Sequence, residues 1–354
     1  MERESSPLPL EGRSRRALVC ALDWGLGHVA RSSVLVRRLL AGGTSVVLAS
    51  NGRSADWWHG EFPDLPLREL PDYGVRYAPG PWLVPGLLAS LSRLWRAMRR
   101  ERALVESWKG EGFDLVVSDN RYGCRMTGVE SVLLTHQLRL ASPRGLGAFE
   151  GLGEWAVSRL VRGYDAVWIP DHPGVDGLSG RLGHPRRPAK FPPLRYLGPL
   201  SRMAGDCGDP RWSGPWDLVV LVSGPEPGRT NLESIVRRSL ERAPGRHLLV
   251  RGRPDLPCPT VDPVAQGVAE VAHLPTPALV SALGGARRIL SRGGYSTLMD
   301  LEALGILDGR CIWCPTPGQT EQETLASGLA AAGKGVVVPE RSLEPFLRRV
   351  SFNG

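Results

Sequence analysis

The chain has 354 residues, of which 42% are hydrophobic and 23% charged, a composition typical of a globular protein with room for two hydrophobic cores. Its 44 basic and 36 acidic residues give a formal net charge of +8. A basic surface serves solubility or anion recognition. Because the sequence lacks zinc-finger spacing, an RNP-like strand and an aromatic-basic stripe, nucleic acid is not predicted as a partner.

The first segment, residues 1–16, is charged and contains prolines, and it predicts a disordered tail. No run of residues is long and apolar enough to span a membrane. The sequence therefore predicts a cytoplasmic protein, which the basic amphipathic pattern of residues 82–100 could hold at the inner face of a membrane. The same pattern is also expected of a helix packed on its own sheet.

The N-terminal half alternates between strand-like and helix-like segments. The predicted strands are 17–22, 45–49, 67–70, 114–118, 132–135 and 166–169, and the predicted helices are 29–40, 84–108 and 152–161. Such alternation is typical of a parallel sheet with helices on both faces. Residues 17–184 are thus predicted to form a Rossmann-like domain. This domain is expected to bind the acceptor, the molecule whose hydroxyl group reacts.

Residues 185–216 are dense in proline and glycine and predict a linker region. The alternation then restarts over residues 217–354. The predicted strands are 218–222, 247–250, 268–272, 288–290, 311–313 and 335–338, and the predicted helices are 231–242, 277–283, 296–304 and 321–332. A second Rossmann-like domain is therefore expected, with its ligands at the carboxyl ends of the strands.

The junction between the first strand and the first helix reads Leu22-Asp-Trp-Gly-Leu-Gly-His28. Gly25 and Gly27 make this loop tight, so His28 is expected to project from the start of the helix. The positive end of a helix favours neutral imidazole, which can take the proton of an acceptor hydroxyl. The sequence indicates His28 as a general base, with helix capping as the alternative role.

Three other polar side chains follow strands of the same domain. Asp119 and Asn120 come directly after the strand 114–118, and His136 follows the strand 132–135. Because the carboxyl ends of parallel strands share one edge of the sheet, these groups are expected beside Gly27 and His28, on the acceptor side. An Asp before Asn is also common in turns, so Asp119 has a turn role as its alternative.

The sequence Arg292-Gly-Gly-Tyr-Ser-Thr-Leu-Met-Asp300 predicts one half of a nucleotide-binding site in the second domain. Gly293 and Gly294 allow a close turn, Ser296 and Thr297 are suited to cap the next helix, and the free N–H groups there suit a diphosphate. Asp300, one turn later, offers a carboxylate to a ribose. Its alternative role is that of an acid on the helix surface.

Two further loops carry groups suited to the rest of such a ligand. Hydrogen-bond donors suited to a phosphate group are predicted after the strand 218–222, at Ser223, Gly224 and Arg229. Amide and carboxylate groups suited to sugar hydroxyls are predicted after the strand 311–313, at Gln319, Gln322 and Glu323.

These motifs together resemble GT-B-fold glycosyltransferases over roughly residues 17–340, in particular the group of the lipid II-forming N-acetylglucosaminyltransferase, with its family 28 C-terminal domain. The resemblance implies an α/β protein whose two Rossmann-like domains face a cleft. It also implies transfer of a sugar from a nucleotide diphosphate donor, such as UDP-N-acetylhexosamine, to a hydroxyl acceptor that is lipid-linked in that group. Asp119 would orient His28, and direct displacement would invert the anomeric centre.

Neither a cofactor nor a metal is predicted, since no Asp-x-Asp motif or zinc-ligand spacing occurs in the sequence. The nucleotide sugar would be a substrate. Two other functions stay open at this point. A nucleotide-sugar epimerase of the same fold would need carboxylates placed for elimination at the sugar, and a non-catalytic protein would bind the nucleotide sugar without converting it.

Overall fold

The computed structural model describes residues 16–73, 83–140, 150–174, 176–224, 226–241, 243–257 and 267–349, with the backbone alone for 83–91. The chain divides into two compact units, Met1–Leu200 and Ser201–Gly354. The division falls inside the range 185–216 that was predicted as a linker, and the tail predicted over residues 1–16 lies outside the described residues except for Arg16.

The first unit is built on a seven-stranded sheet in which every pairing is parallel. Its strands are β1 (Arg16–Ala21), β2 (Ser45–Ser50), β3 (Leu67–Glu69), β4 (Leu115–Asp119), β5 (Glu130–Leu134), β6 (Ala166–Ile169) and β7 (Leu194–Tyr196). The strand order is β3-β2-β1-β4-β5-β6-β7. The inner strands are short, buried apolar runs, as expected of a sheet covered on both faces.

The helices of this unit are α1 (Leu26–Ala41), α2 (Gly52–Glu61), α3 (Leu83–Ser107) and α4 (Glu150–Leu160). Helix α2 was not predicted, because only Ser54 and Trp58 are buried in it and it therefore lacks a broad apolar stripe. Strand β7 was not predicted either. It lies at the edge of the sheet directly after Pro192 and Pro193, where proline is tolerated.

The second unit is built on a six-stranded parallel sheet with the order β10-β9-β8-β11-β12-β13. Its strands are β8 (Leu218–Leu221), β9 (Arg246–Val250), β10 (Gly267–Val271), β11 (Ile289–Ser291), β12 (Cys311–Trp313) and β13 (Val336–Val337). Its helices are α5 (Gly228–Leu240), α6 (Thr276–Gly284), α7 (Tyr295–Ala303), α8 (Thr320–Ala331) and α9 (Glu340–Arg349). Helix α9 was not predicted, since Pro345 interrupts its sequence.

Each sheet has one point where the direction of winding reverses. In the first unit the chain winds outward from β1 to β3 and then restarts at β4, on the other side of β1. In the second unit the corresponding neighbours are β8 and β11. Ligands of open α/β sheets bind outside the carboxyl ends of the strands at such a point. The loops after these four strands are therefore where a site is expected.

The segment 82–100, considered above as a membrane contact, lies largely in α3, and the described part of it packs partly inward. Leu94 and Met98 contact a small core cluster formed by Leu22, Tyr73 and Ala97. Trp95 is 56% exposed and carries the Arg99 guanidinium 4.7 Å from its ring centroid. Over the described residues, no helix combines the length and the apolar character needed to cross a bilayer.

Candidate active site

His28 owes its position to the tight loop between β1 and α1. Gly25 has φ of 128°, a conformation that residues with a Cβ rarely adopt, and the helix begins at the next residue, Leu26. The predicted start was residue 29, so Gly27 and His28 lie inside the first turn. The side chain of His28 is 16% exposed.

Asp119 is the last residue of β4 and is fully buried. In the register between β1 and β4, Asp119 pairs with Ala21, the last residue of β1. The loop that leads from β1 to His28 therefore begins beside Asp119. Nδ1 of His28 lies 2.8 Å from Oδ1 of Asp119. An ionised carboxylate only accepts hydrogen bonds, which assigns the proton of a neutral His28 to Nδ1 and leaves Nε2 with its lone pair.

Two residues that the sequence analysis did not single out complete the surroundings of Asp119. Arg31 donates through Nε to Oδ2 at 2.7 Å and through Nη2 to Oδ1, and the hydroxyl of Ser32 donates to Oδ2 at 2.7 Å. Although burial on its own raises the pKa of Asp119, the charge of Arg31 and the hydrogen bonds from Arg31 and His28 hold that pKa well below its usual range. Asp119 is therefore an anion at neutral pH.

His136 and Asn120 lie at the same edge of the sheet. His136 follows β5 and is buried, and its Nδ1 lies 3.0 Å from Nη1 of Arg31. Asn120 has φ of 54°, in the left-handed region that Asn tolerates better than most residues, and it turns the chain directly after β4. The structure thus brings the two predicted histidines and Asp119 around one buried arginine.

The predicted glycine turn of the second unit lies between β11 and α7. Gly293 has φ of 71°, and Gly294 is the N-cap residue of α7. Ser296 and Thr297 were expected to cap this helix, and that expectation is wrong. The helix begins at Tyr295, so both residues lie inside its first turn, and the N-cap has no side-chain hydrogen bond. The N-cap residue Gly294 therefore gives the first turn of α7 no side-chain hydrogen bond.

Asp300 lies on the second turn of α7 and accepts a hydrogen bond from the hydroxyl of Ser201 at 2.6 Å. Burial raises the pKa of Asp300 to about 6, and the bond from Ser201 and the charge of Arg202 act in the opposite direction. Asp300 is a half-buried acid with a polar partner, which differs from a freely solvated acid on a helix surface.

The polar residues after β12 shape their own loop. Oε1 of Gln322 accepts from the backbone N–H of Thr316 at 2.8 Å, and Oε1 of Glu323 accepts from that of Gly318 at 3.2 Å. Gln319 is the N-cap residue of α8. These bonds join the loop after β12 to the first turn of α8, where Gln322 and Glu323 lie.

Arg229 was expected to bind phosphate, but in the structure it is buried among acidic groups. Its Nε donates to Glu226 at 2.6 Å, its Nη1 to Glu233, and its Nη2 to the hydroxyl of Thr230 at 2.8 Å. Its charge is balanced within the unit, which argues against a role as a phosphate ligand. Ser223 and Gly224 are half-buried in the loop after β8, and Gly224 has φ of 104°.

The loops after β8, β11 and β12 meet at one place. Arg292, after β11, donates through Nη2 to the backbone oxygen of Gly228, the first residue of α5. A Cβ on Gly228 would lie 3.2 Å from the methyl group of Thr316, which follows β12. The predicted donor residues therefore come from three loops that contact one another.

The described residues contain no cluster of three or more His, Cys, Asp or Glu side chains that could hold a metal ion. The sequence matches no family model and no curated protein.

Solved structures are nevertheless similar to nearly the whole chain. The glycotransferase of kitacinnamycin shares 15% identity at a TM-score of 0.60, and MurG of Acinetobacter baumannii shares 12% at 0.53. Arabidopsis thaliana UGT89C1, complexed with UDP-L-rhamnose, shares 13% at 0.58. Each comparison covers 95% of this chain and 89% of the other.

The chain has the GT-B fold. The predicted fold class, two Rossmann-like α/β units, is therefore confirmed. At these identities the similarity establishes the fold, and the activity is argued separately from the site.

Proposed function

We propose that this protein is a glycosyltransferase that moves a sugar from a UDP-sugar, such as a UDP-N-acetylhexosamine, to a hydroxyl acceptor. The contact between His28 and Asp119 carries the proposal, because it places an imidazole with an available lone pair at the reversal point of the first sheet. The GT-B fold makes nucleotide-sugar transfer the reaction class that fits this pair.

In the proposed reaction, Nε2 of His28 takes the proton of the acceptor hydroxyl as its oxygen attacks the anomeric carbon. The anionic Asp119 stabilises the imidazolium that forms and keeps the ring in one orientation. The bond to the UDP leaving group breaks as the new bond forms on the opposite face, so the anomeric configuration is inverted.

The donor is proposed to bind at the three loops that meet in the second unit. The N–H groups at the start of α7 suit the diphosphate, since the N-cap residue gives them no side-chain hydrogen bond. Asp300 is suited to accept from ribose hydroxyls, and Gln319, Gln322 and Glu323 are assigned to the sugar. Ser223 and Gly224 remain proposed phosphate contacts, whereas Arg229 is left out of the proposed donor site because its guanidinium is engaged with Glu226 and Glu233.

A calorimetric screen of nucleotides and nucleotide sugars, followed by product analysis with hydroxyl acceptors, tests this function. We expect a UDP-sugar to bind and to lose its sugar when an acceptor is added. Conversion of the donor sugar without any acceptor would identify an epimerase, and binding without conversion would identify a binding protein. Either result would overturn the proposal.

Activity is expected to survive an excess of chelator. The proposal assigns stabilisation of the leaving diphosphate to helix N–H groups and gives no role to a bridging ion. The measurement is the rate of transfer with and without the chelator, after dialysis of the enzyme against it. Loss of activity that magnesium or manganese restores would show that a metal takes part.

Asp300→Ala is expected to weaken donor binding by about 1.5–3 kcal/mol, the range for a hydrogen bond to a charged group. In the parent protein, donor affinity should fall as the pH is lowered through about 6, because the carboxylate that accepts from the ribose becomes protonated. Calorimetric titrations on both sides of that pH measure the change.

Asp300→Asn is the matched control, since it keeps the shape of the side chain but does not titrate. Its donor affinity should vary less with pH than that of the parent protein. Equal affinity of the parent and Asp300→Ala, with both folded, would remove Asp300 from the donor site.

A further inference from the structure

Arg31 is only 3% exposed, and each of its three guanidinium nitrogens lies within hydrogen-bond distance of another side chain. Nε and Nη2 form a fork on the carboxylate of Asp119, and Nη1 reaches Nδ1 of His136 at 3.0 Å. Nη2 also lies 3.0 Å from Nδ1 of His28. One cation therefore contacts the carboxylate and both histidines of the site.

The contact with His136 determines which of its ring nitrogens carries the proton. A guanidinium is always charged in proteins and can only donate hydrogen bonds. Nδ1 of His136 must therefore accept, which requires a lone pair on that nitrogen. His136 is then a neutral imidazole with its proton on Nε2.

His28 has the opposite arrangement. Its Nδ1 lies near both Asp119, which can only accept, and Arg31, which can only donate. The contact with Oδ1 of Asp119 is the shorter, at 2.8 Å, and two lone pairs facing each other at that distance would repel. Nη2 of Arg31 already donates to the same carboxylate oxygen. The proton of His28 thus belongs on Nδ1.

We propose that Arg31 is a positioning residue that fixes the tautomer of His136, while the carboxylate of Asp119, which Arg31 holds in place, fixes the opposite tautomer of His28. His28 then carries an unprotonated Nε2 and His136 a protonated Nε2, so one ring can take a proton while the other can donate a hydrogen bond. This inference rests on the proposed function for its use in catalysis. The tautomers themselves follow from the contacts of His136 with Arg31 and of His28 with Asp119.

The charge balance of the cluster supports the same assignment. A buried ion pair is tolerated when its remaining donors and acceptors are satisfied, and here Asp119 receives bonds from His28, Arg31 and Ser32. A positive charge on His136 would lie 3.0 Å from the guanidinium of Arg31, and the two like charges would repel. This repulsion agrees with a lone pair on Nδ1 of His136, as the contact with Arg31 requires.

Long-range ¹H–¹⁵N NMR of the full chain, labelled with ¹⁵N in its seven histidines, measures the tautomers without any ligand. The signals are assigned with His28→Gln and His136→Gln. We expect the Nδ1–H form for His28 and the Nε2–H form for His136. The opposite form at either ring would overturn the proposal, whether or not the protein transfers a sugar.

Arg31→Lys separates the role of the forked guanidinium from the role of its charge. A lysine ammonium keeps a cation beside Asp119, but it cannot bond both carboxylate oxygens of Asp119 and Nδ1 of His136 at once. We expect His136 to become a mixture of tautomers while His28 keeps its Nδ1–H form. Ser32→Ala is the control, since it removes one bond to Asp119 but touches neither ring, and both tautomers should be unchanged. An unaltered His136 in a folded Arg31→Lys protein would contradict the role of Arg31.

Discussion

His28→Ala is expected to lower the rate of sugar transfer about a hundredfold to ten-thousandfold, the usual cost of removing a general base. The loss should appear in kcat, because the substitution removes the group that takes the acceptor proton. Donor affinity should stay close to that of the parent protein, since the proposed donor residues belong to the second unit. Steady-state kinetics and calorimetric titration of the donor measure the two quantities separately.

His59→Ala is the matched control for this substitution. His59 lies exposed on α2, outside the cluster around Asp119, so its loss should change neither rate nor donor affinity. If His28→Ala retained the full transfer rate with the natural acceptor, His28 would have only the structural role of a residue in the first turn of α1.

Glu101→Gln is expected to lower the free energy of unfolding of the first unit by about 3–5 kcal/mol, the cost of breaking a buried ion pair from one side. Glu101 and Arg121 form such a pair, and neither side chain is exposed. Glu101 also accepts from the hydroxyl of Tyr73 at 2.6 Å and from the backbone of Gly123 at 2.9 Å. The substitution would leave the Arg121 charge without its counter-ion, and urea denaturation measures the change.

Glu344→Gln provides the comparison for an exposed pair. Arg348 donates to Glu344 at 2.7 Å on α9, but the two side chains are 63% and 35% exposed. Such a pair on a helix contributes about 0.3–0.5 kcal/mol. If Glu101→Gln cost as little as Glu344→Gln, the buried pair would not stabilise the fold.

The pair of Glu101 and Arg121 also bears on the site. Arg121 donates to the backbone oxygen of Ala21 at 3.3 Å and to the side chain of Asn51 at 2.7 Å, and these residues lie at the carboxyl ends of β1 and β2. The pair thus ties together the strand ends beside the loop that carries His28. We expect it to support the geometry of the site.

Much of the fold could be predicted because the inner strands are apolar runs that alternate with amphipathic helices. Helix α2 was missed because Trp58 is its one large buried side chain. Strand β7 was missed because the prolines before it indicate a linker, whereas an edge strand tolerates them. In both cases, packing in the folded protein determined the element, although the local sequence did not indicate a helix or a strand.

The proximity of His28 and Asp119 could be predicted, because the two residues follow strands that share one edge of the sheet. Arg31 could not be recognised in the same way, because the chain is rich in arginine and only the packing shows which arginines are buried and which of these contacts Asp119. Its spacing of three residues from His28 on one helix was the available signal. Arg229 shows the converse. Its acidic partners Glu226 and Glu233 lie three residues before it and four residues after it, and this local spacing was the available signal that its charge would be balanced.

The release of UDP from the tightest-binding UDP-sugar, measured with a panel of hydroxyl acceptors, tests the central claim most directly. The account predicts release that depends on an acceptor, appears together with a glycosylated product of inverted anomeric configuration, and is lost in His28→Ala. A bound UDP-sugar that is recovered unchanged with every acceptor, or is converted at the same rate by the parent protein and His28→Ala, would contradict it.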